Sequence, residues 1–264
     1  MAHKIFDTPG LHYITAPQDV TEMWWTAQGG GGGGGGGNAA AAPDGTGGAG
    51  GGPGGYVDRW RIYVEPDTVL EINVGMGGAG GAVGQLGKVG SPTFITGASL
   101  PIPVARGGGL GSMGSNDGST VFTAKGPVTL TQANGDPLCI GGGPWYDIKP
   151  HSRAGESHAT NTGVHATSLY KMISGSGPGR AAEKTYKQAG RSRSFVGLGN
   201  VEGGGPGMGG GAGGCSPVGD GGAGGDDEEA GHSPPSGHYG GGGGGGGRNA
   251  PGGQGAGGVG ILEW

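Results

Sequence analysis

Short segments in which apolar and polar residues alternate recur in the N-terminal part of the chain, and several of them run directly into glycine. Residues 69–74 show this arrangement, and residues 20–26 and 102–105 are further strand-like segments that lead into glycine. Alternation with a period of two is typical of half-buried β-strands. The pattern therefore predicts strands that continue as glycine segments.

Other segments predict further strands. Residues 5–6, 11–14 and 93–95 are short apolar segments, and residues 259–264 form an apolar segment after the last glycines. We expect this last segment to be docked in a sheet, because a free apolar tail gains nothing in water. In residues 56–64, strict alternation predicts that one side of the strand carries Tyr56, Trp60, Ile62 and Val64 and the other carries Val57, Arg59, Arg61 and Tyr63.

Glycine is the dominant residue of the chain. It supplies 76 of the 264 residues, several times the usual share of about 7 %. Two runs are unbroken, one from Gly29 to Gly37 and one from Gly240 to Gly247. Such a composition normally marks a linker or a disordered tail. The strands that feed repeatedly into the glycines favour an ordered glycine scaffold instead, with flexible loops between strands as the alternative.

Polyproline-II geometry explains how glycine can build a scaffold. It has three residues per turn, a rise of about 3.1 Å and no internal hydrogen bonds, so its N–H and C=O groups point sideways. Neighbouring helices can pair through these groups where no side chain separates them. The sequence predicts that the two unbroken runs are buried and that the interrupted segments 75–84, 107–111, 203–214 and 252–258 lie further out. The predicted scaffold positions include Gly29, Gly33, Gly37, Gly240, Gly244 and Gly247.

These elements together predict a mainly β protein. A small antiparallel, β-sandwich-like N-terminal region would join a polyglycine-II helix bundle that carries a loop-rich insertion. Residues 1–111 would hold the strands and the first glycine helices, and residues 112–200 an insertion that is partly β and loop-rich. Residues 201–264 would complete the glycine-rich bundle with an acidic loop and a terminal strand.

Composition excludes several classes of protein. The net charge of −5 gives no general case for nucleic-acid binding. No stretch of about 20 apolar residues is present to span a membrane, and the N-terminus lacks the apolar core of a signal peptide. Synthesis in a cytoplasm is therefore expected. The two cysteines, Cys139 and Cys215, are expected to be free thiols, although pairing is not excluded by their spacing.

Two charged regions and one polar loop are candidates for contact with a partner. Residues 149–193 contain eight Lys or Arg residues and two Glu residues, and form either a patch for phosphate-bearing or acidic partners or a solvated loop surface. The acidic loop contains Asp226, Asp227 and Glu228, which are weak calcium candidates, because calcium takes oxygen ligands; a solvated loop or a loop paired with the basic block is preferred. Residues 232–239 form either a contact loop with an aromatic tip or an ordinary turn.

Catalysis has little support in the sequence. His151, His158 and His165 recur every seventh residue, but Gly155 and Gly163 between them argue against the continuous helix that would bring them together. No Gly-x-Ser-x-Gly elbow is present. Matches to Gly-x-Gly-x-x-Gly are inevitable at this glycine content and are not followed by Gly-Lys-Ser/Thr. We therefore expect no enzyme activity, no cofactor and no metal site.

Three features together resemble the glycine-rich domain of bacteriophage tail proteins. An aromatic strand and Pro17 precede a strand that opens at Val20-Thr21 and runs into polyglycine. Pro66-Asp67-Thr68 precedes a strand that enters Gly75-Met76-Gly77-Gly78-Ala79-Gly80-Gly81, and residues 257–264 are similar to the usual ending of that family. The resemblance covers roughly residues 1–110 and 200–264 and is nearest in function to the tail-fibre tip adhesins of T-even-like phages.

The resemblance implies a virion tail protein that binds a host-surface receptor, either protein or lipopolysaccharide, through loops. A structural tail, baseplate or fibre-attachment component is the alternative, and an ice-binding protein is a more distant third. Other tail proteins would be partners, docked on residues 5–25, and the chain would be either a homotrimer or a single copy on a trimeric fibre. The candidate receptor-binding residues are Trp145, Tyr146, Tyr170, Arg191, Arg193, His238 and Tyr239.

Overall fold

A computed structural model describes residues 2–38, 47–98, 104–111, 130–131, 137–139, 191–193, 200–202, 210, 213–214, 216, 218–226 and 228–264. This part of the chain is mainly β with antiparallel sheets, as predicted, and the described residues contain no helix. The strands are β1 (His3–Phe6), β2 (Gly10–Thr15), β3 (Glu22–Gln28), β4 (Tyr56–Tyr63), β5 (Val69–Val74), β6 (Phe94–Thr96), β7 (Leu130–Thr131), β8 (Pro137–Cys139), β9 (Arg191–Arg193), β10 (Asn200–Glu202) and β11 (Val259–Glu263).

The C-terminal strand lies inside a four-stranded sheet of order β1-β11-β3-β4. Strand β11 pairs antiparallel with both neighbours, so that Ile261 lies between Ile5 of β1 and Thr26 of β3. The prediction that the apolar terminal segment is docked in a sheet is confirmed. Residues from the two ends of the chain therefore share one sheet.

A three-stranded sheet of order β2-β5-β6 packs against the first sheet. The core between them contains the largest fully buried apolar side chains of the described residues. Full burial of a side chain of this size contributes about 1.5–3 kcal/mol, so the apolar stabilisation is concentrated at this end of the molecule. The core side chains include Met23, Trp25, Ile62 and Leu262 from the four-stranded sheet and Leu70, Ile72, Val74 and Ile95 from the three-stranded sheet.

A β-bulge changes the sides predicted for strand β4. The register between β3 and β4 shifts between Trp25 and Ala27, and Arg59 has a φ of 39°, which is unusual for a residue with a side chain. Strict alternation placed Val57 on the same side as Arg59 and Arg61, and this is wrong: Val57 is fully buried whereas both arginines are exposed. The extra residue at the bulge inverts the alternation, so that Ile62 is buried as well.

The first glycine run, residues 29–37, is surrounded by six extended segments. Every third N–H group donates to the same neighbour, as Gly32 does to the carbonyl of Gly52 at 2.9 Å, and the three neighbours reached in this way run antiparallel. The C=O groups accept from three parallel neighbours with the same period, as Gly31 does from Gly78 at 2.8 Å. In order around the run, the six neighbours are residues 75–84, 85–91, 107–111, 49–55, 240–247 and 250–256.

The second glycine run, residues 240–247, is also surrounded by six neighbouring segments. It lies beside the first run and shares two of that run's neighbours, and its N–H and C=O groups also pair in several directions, as Gly244 does with the carbonyl of His232 at 2.9 Å. Its neighbours are residues 29–37, 49–55, 213–214, 222–225, 229–232 and 250–256. Both runs are buried along their whole length, as predicted.

The interrupted segment 75–84 forms a hairpin with residues 85–91, and we call residues 75–91 the peripheral hairpin. Gly84 turns the chain with a φ of 69°, and Lys88 donates to the carbonyl of Ala79 at 2.9 Å. Along residues 75–82, every third position is buried, beginning at Gly75, and every position that follows a buried one is exposed. Side chains are therefore confined to outward positions that also repeat every three residues.

Contact between backbones explains why the interior segments are glycine. At positions 29–34, 36 and 37, a Cβ atom would lie 1.9–2.1 Å from a carbonyl oxygen of a neighbouring segment. Such a separation is far shorter than any normal contact, so any side chain would force the segments apart. Ordering a glycine costs more conformational entropy than ordering any other residue. Hydrogen bonds to neighbouring segments on all sides of each run offset this cost.

Two buried polar side chains join the sheets to the glycine segments. Thr93 accepts a hydrogen bond from the N–H of Gly75 at 3.0 Å and donates one to the carbonyl of Gln28 at 2.8 Å. The Gln28 side chain donates to the carbonyl of Gly54 at 2.8 Å. Both residues are fully buried. They supply hydrogen-bond partners to backbone groups at the place where strand pairing ends and the threefold hydrogen-bond repeat of the glycine segments begins.

Candidate functional site

The described molecule has two ends from which loops project. The strand end carries the two sheets, and the far end lies where the first glycine run reaches Asn38. Gly111 is level with the middle of that run, and the chain leaves the described residues after it towards the far end. The chain returns at Gly210, which donates to Gly225, itself a neighbour of Gly245. Of the predicted insertion, strand β8 contacts strand β4 of the four-stranded sheet, at the strand end.

His238 and Tyr239 lie at the strand end. They precede Gly240, whose φ of 68° turns the chain into the second glycine run. The Nδ1 atom of His238 accepts a hydrogen bond from the backbone N–H of Asp220 at 2.9 Å, which assigns the ring hydrogen of a neutral histidine to Nε2. A turn at residues 216–219 braces the loop, because the hydroxyl of Ser216 donates to the carbonyl of Tyr239.

The phenol of Tyr239 faces a carboxylate of the first strand region. Its hydroxyl donates to Oδ2 of Asp7 at 3.3 Å. Burial raises the pKa of Tyr239 above its ordinary value, and the negative charge of Asp7 and the hydrogen bond raise it further. Tyr239 therefore stays neutral at physiological pH and acts as a hydrogen-bond donor that ties the loop to the sheet end.

Ser216, Asp220 and His238 lie close together but do not have the geometry of a catalytic triad. A triad histidine donates its Nδ1 hydrogen to the carboxylate and accepts from the serine through Nε2. Here Nδ1 accepts from a backbone N–H and lies 3.7 Å from the Asp220 carboxylate. The Ser216 hydroxyl is engaged with backbone groups. These three residues hold the loop in place.

The acidic loop is at the far end and is partly neutralised by a basic residue. Arg248 donates to a carboxylate oxygen of Glu228 at 2.8 Å. Asn249 next to it donates through its backbone to the carbonyl of Asn38 at 2.8 Å, which joins the ends of both glycine runs. Of the calcium candidates, Asp226 and Glu228 are exposed and Asp227 lies outside the described residues. Within the described ranges, no group of three or more His, Cys, Asp or Glu side chains is arranged to hold a metal ion.

The remaining receptor-binding candidates belong to the insertion. Arg191 and Arg193 lie in strand β9, which pairs antiparallel with β10, and they stand opposite Glu202 and Asn200. Strands β7 and β8 of the insertion pair antiparallel, with Leu130 opposite Cys139. Trp145, Tyr146 and Tyr170 lie outside the described residues.

The outer face of the four-stranded sheet carries an aromatic and charged network that the sequence alone did not indicate. The guanidinium of Arg59 lies 5.7 Å from the ring centre of Trp24, and Arg59 pairs with Glu263 at 2.9 Å. Arg61 lies 5.1 Å from the ring centre of Tyr63. These contacts join residues that are far apart in sequence, and only the register of the sheet brings them together.

The predicted docking segment, residues 5–25, is divided between surface and core. Ile5, Leu11 and Tyr13 are exposed, but Met23 and Trp25 are fully buried between the sheets. The last part of the segment is therefore not available for docking. Trp24 is half-buried on the outer face of the sheet, where Arg59 covers its ring.

A family model described as a glycine-rich domain matches residues 7–264, which is nearly the whole chain. The chain belongs to the glycine-rich domain family. No curated protein matches the chain. No helix in the described part of this glycine-rich domain is long and apolar enough to cross a membrane.

Of the seven candidate contact residues of this glycine-rich domain, His238 and Tyr239 are held at the strand end. Arg191 and Arg193 lie in strand β9, and Trp145, Tyr146 and Tyr170 lie outside the described residues. The sequence grouped these seven residues by chemistry alone.

Proposed function

We propose that the glycine segments form a polyglycine-II bundle that acts as the rigid scaffold of a bacteriophage tail protein. The observation that supports the bundle most strongly is the threefold repeat of hydrogen bonds around residues 29–37, with six neighbours that alternate in direction. Three residues per turn is the period of polyproline-II geometry. The clash predicted for a Cβ at the interior positions supports the same geometry.

The proposed role of this scaffold is to hold loops for binding to a host-surface receptor, at the tip of a fibre or tail. A loop that starts and ends in a fixed hydrogen-bonded segment loses less freedom on binding, and pre-organisation of this kind raises affinity. Residues 232–239 begin in such a segment and lead into another at Gly240, and Gly111, which precedes the insertion, also lies in one. In this proposal the protein is a virion component with other tail proteins and a bacterial surface receptor as its partners, and it has no enzymatic activity, cofactor or nucleic-acid ligand.

A structural tail, baseplate or fibre-attachment role is the second candidate. It is favoured by the exposed apolar residues Ile5, Leu11 and Tyr13 on strands next to open sheet edges. Exposed apolar surface and unpaired strand edges are common at protein interfaces. In this role the loops would not contact the receptor.

Labelled virions separate these proposals. Fab fragments raised against residues 112–200 are added to purified phage particles and located by electron microscopy, and adsorption to host cells is then counted. Labelling of a fibre or tail tip together with blocked adsorption supports the adhesin. Labelling without loss of adsorption supports the structural role, and intact particles that bind no Fab, when an immunoblot of the same particles finds no chain, contradict both.

Deletion of residues 215–239 is a poor test of the role of this loop. Removing residues 215–239 would also remove residues 222–225 and 229–232, which are two of the six neighbours of the second glycine run. Such a variant would lose adsorption through loss of folding. Substitution of the exposed loop residues Ser233 and Ser236 avoids this problem, because neither is buried.

A further inference from the structure

Seven of the eight large apolar side chains that are exposed in the described residues belong to the three-stranded sheet or to the peripheral hairpin, which continues β5 and leads back to β6. We call the outer face of this sheet, together with the hairpin, the apolar flank. Its exposed apolar side chains are Leu11, Tyr13, Val69, Met76, Val83, Leu86 and Val89.

The charge on the flank is very low. Its segments, residues 10–15, 69–92 and 94–96, contain Glu71 and Lys88 and no other acidic residue, lysine or arginine. The outer face of the opposite sheet is instead covered by ion-paired arginine and glutamate side chains. A highly charged partner is therefore not complementary to the flank.

The apolar area of the flank approaches what a stable dimer needs. Seven large side chains that are mostly about half exposed, with Met76 and Val89 at 61 %, leave on the order of 500 Å² of apolar surface in water. Monomeric proteins rarely expose contiguous apolar patches larger than a few hundred Å². A standard interface buries about 800 Å² on each partner, and polar residues at the margins, such as Gln85 and Gln254, would supply the difference.

We propose that the apolar flank is the interface of a homodimer, in which a second copy of this chain packs on the flank in antiparallel orientation. The flank is self-complementary in this orientation. Outward side chains of the hairpin repeat every three residues, about 9 Å, so rows of the same spacing face each other when a second copy is turned by a twofold axis that crosses the flank.

The two charges select the antiparallel orientation. Glu71 and Lys88 lie roughly 25 Å apart along the flank, at the rises of strands and polyproline-II segments. A twofold axis across the flank near Met76 brings Glu71 of each copy to Lys88 of the other. A parallel arrangement would place like charges together, which disfavours binding.

Sedimentation velocity of the full chain over a range of concentrations tests the proposal. The wild-type chain is expected to dimerise, and Met76→Glu to raise the dissociation constant at least about tenfold by placing two charges at the centre of the interface. Ala230→Glu, at an exposed position elsewhere on the molecule, is the matched control and should leave it unchanged. Circular dichroism melting of each variant shows whether the monomer still folds.

A charge exchange tests the orientation independently. Glu71→Lys and Lys88→Glu should each weaken the dimer, and the double variant should restore it, because the two opposite charges then meet again with their signs reversed. A wild-type chain that stays monomeric at about 100 μM, well above a typical dimer constant, overturns the proposal. So does a dimer that persists in Met76→Glu, a trimer, or a double variant no stronger than the single ones.

Discussion

The first glycine run and the peripheral hairpin make the same backbone hydrogen bonds with the same period of three, yet only the hairpin carries side chains. The run has a neighbour on all six sides, whereas the hairpin lies at the edge and has open positions at Met76, Ala79 and Ala82. The difference shows that the number of neighbours, and not the local conformation, decides where glycine is required. Substitutions at buried glycines and at exposed positions of the hairpin test this comparison.

The largest effect is expected for Gly33→Ala in the centre of the first run. Its Cβ would lie 2.0 Å from the carbonyl oxygen of Ala79, and the backbone can move only by disturbing several neighbours at once. We expect a loss of about 3 kcal/mol or more in the free energy of unfolding. Urea denaturation measures it, with Ala79→Ser at an exposed position of the hairpin as the control, expected within about 0.5 kcal/mol of wild type.

Two adjacent glycines in segment 49–55, a neighbour of the first run, allow a sharper comparison of a blocked Cβ position with a more open one. A Cβ at Gly51 would lie 2.2 Å from the carbonyl oxygen of Gly32, but a Cβ at Gly52 would have its nearest atom, the amide nitrogen of Gly109, at 3.3 Å. Gly51→Ala should therefore destabilise the protein by about 2 kcal/mol more than Gly52→Ala. Equal melting curves for the two variants would show that burial alone, and not the direction of the Cβ, sets the cost.

The junction between sheets and glycine segments is predicted to be the next most sensitive region. Thr93→Val keeps the shape of the side chain but leaves the N–H of Gly75 and the carbonyl of Gln28 without their hydrogen bonds to it. Unsatisfied buried groups cost about 1–3 kcal/mol. Thr96→Val, at an exposed position of the adjoining strand β6, should change the free energy of unfolding very little. Similar losses in both would contradict a role for the Thr93 hydroxyl.

The smallest effect is expected at the loop of the strand end and depends on pH. Because the pKa of folded Tyr239 lies above the ordinary value of about 10, the folded state holds its proton more tightly than the unfolded state does. The stability from this group is complete below about pH 10 and is lost as the pH rises through the folded pKa. The difference in melting temperature between wild type and Tyr239→Phe should therefore shrink as the pH rises above about 10. A constant difference would mean that the phenol is not held by its surroundings.

Much of the fold follows from local pattern. Alternation in residues 69–74 predicts β5 at its observed position, and the purity of residues 29–37 and 240–247 predicts their burial. These features depend on a property of each segment alone. The sides of β4 could not be predicted, because the bulge at Arg59 depends on how that strand pairs with β3.

The candidate sites were less predictable, because they depend on three-dimensional register. The contact of Tyr239 with Asp7 joins residues at opposite ends of the sequence, and so does the pair of Arg59 and Glu263. The apolar flank is also assembled from three separate strands and a hairpin. In the sequence its members resemble core residues, and only the position of the hairpin at the edge of the glycine segments leaves them exposed.

The threefold repeat around the central runs constrains how the length of this chain can change in evolution. Each interior residue donates to a different neighbour from the residue before it, so deleting one glycine would turn all later groups in that run by about a third of a turn. Deletion of three residues would restore the phase and shorten the run by one layer. Homologous chains should therefore differ in steps of three within the interior segments, whereas the loops at both ends are free to gain or lose any number of residues.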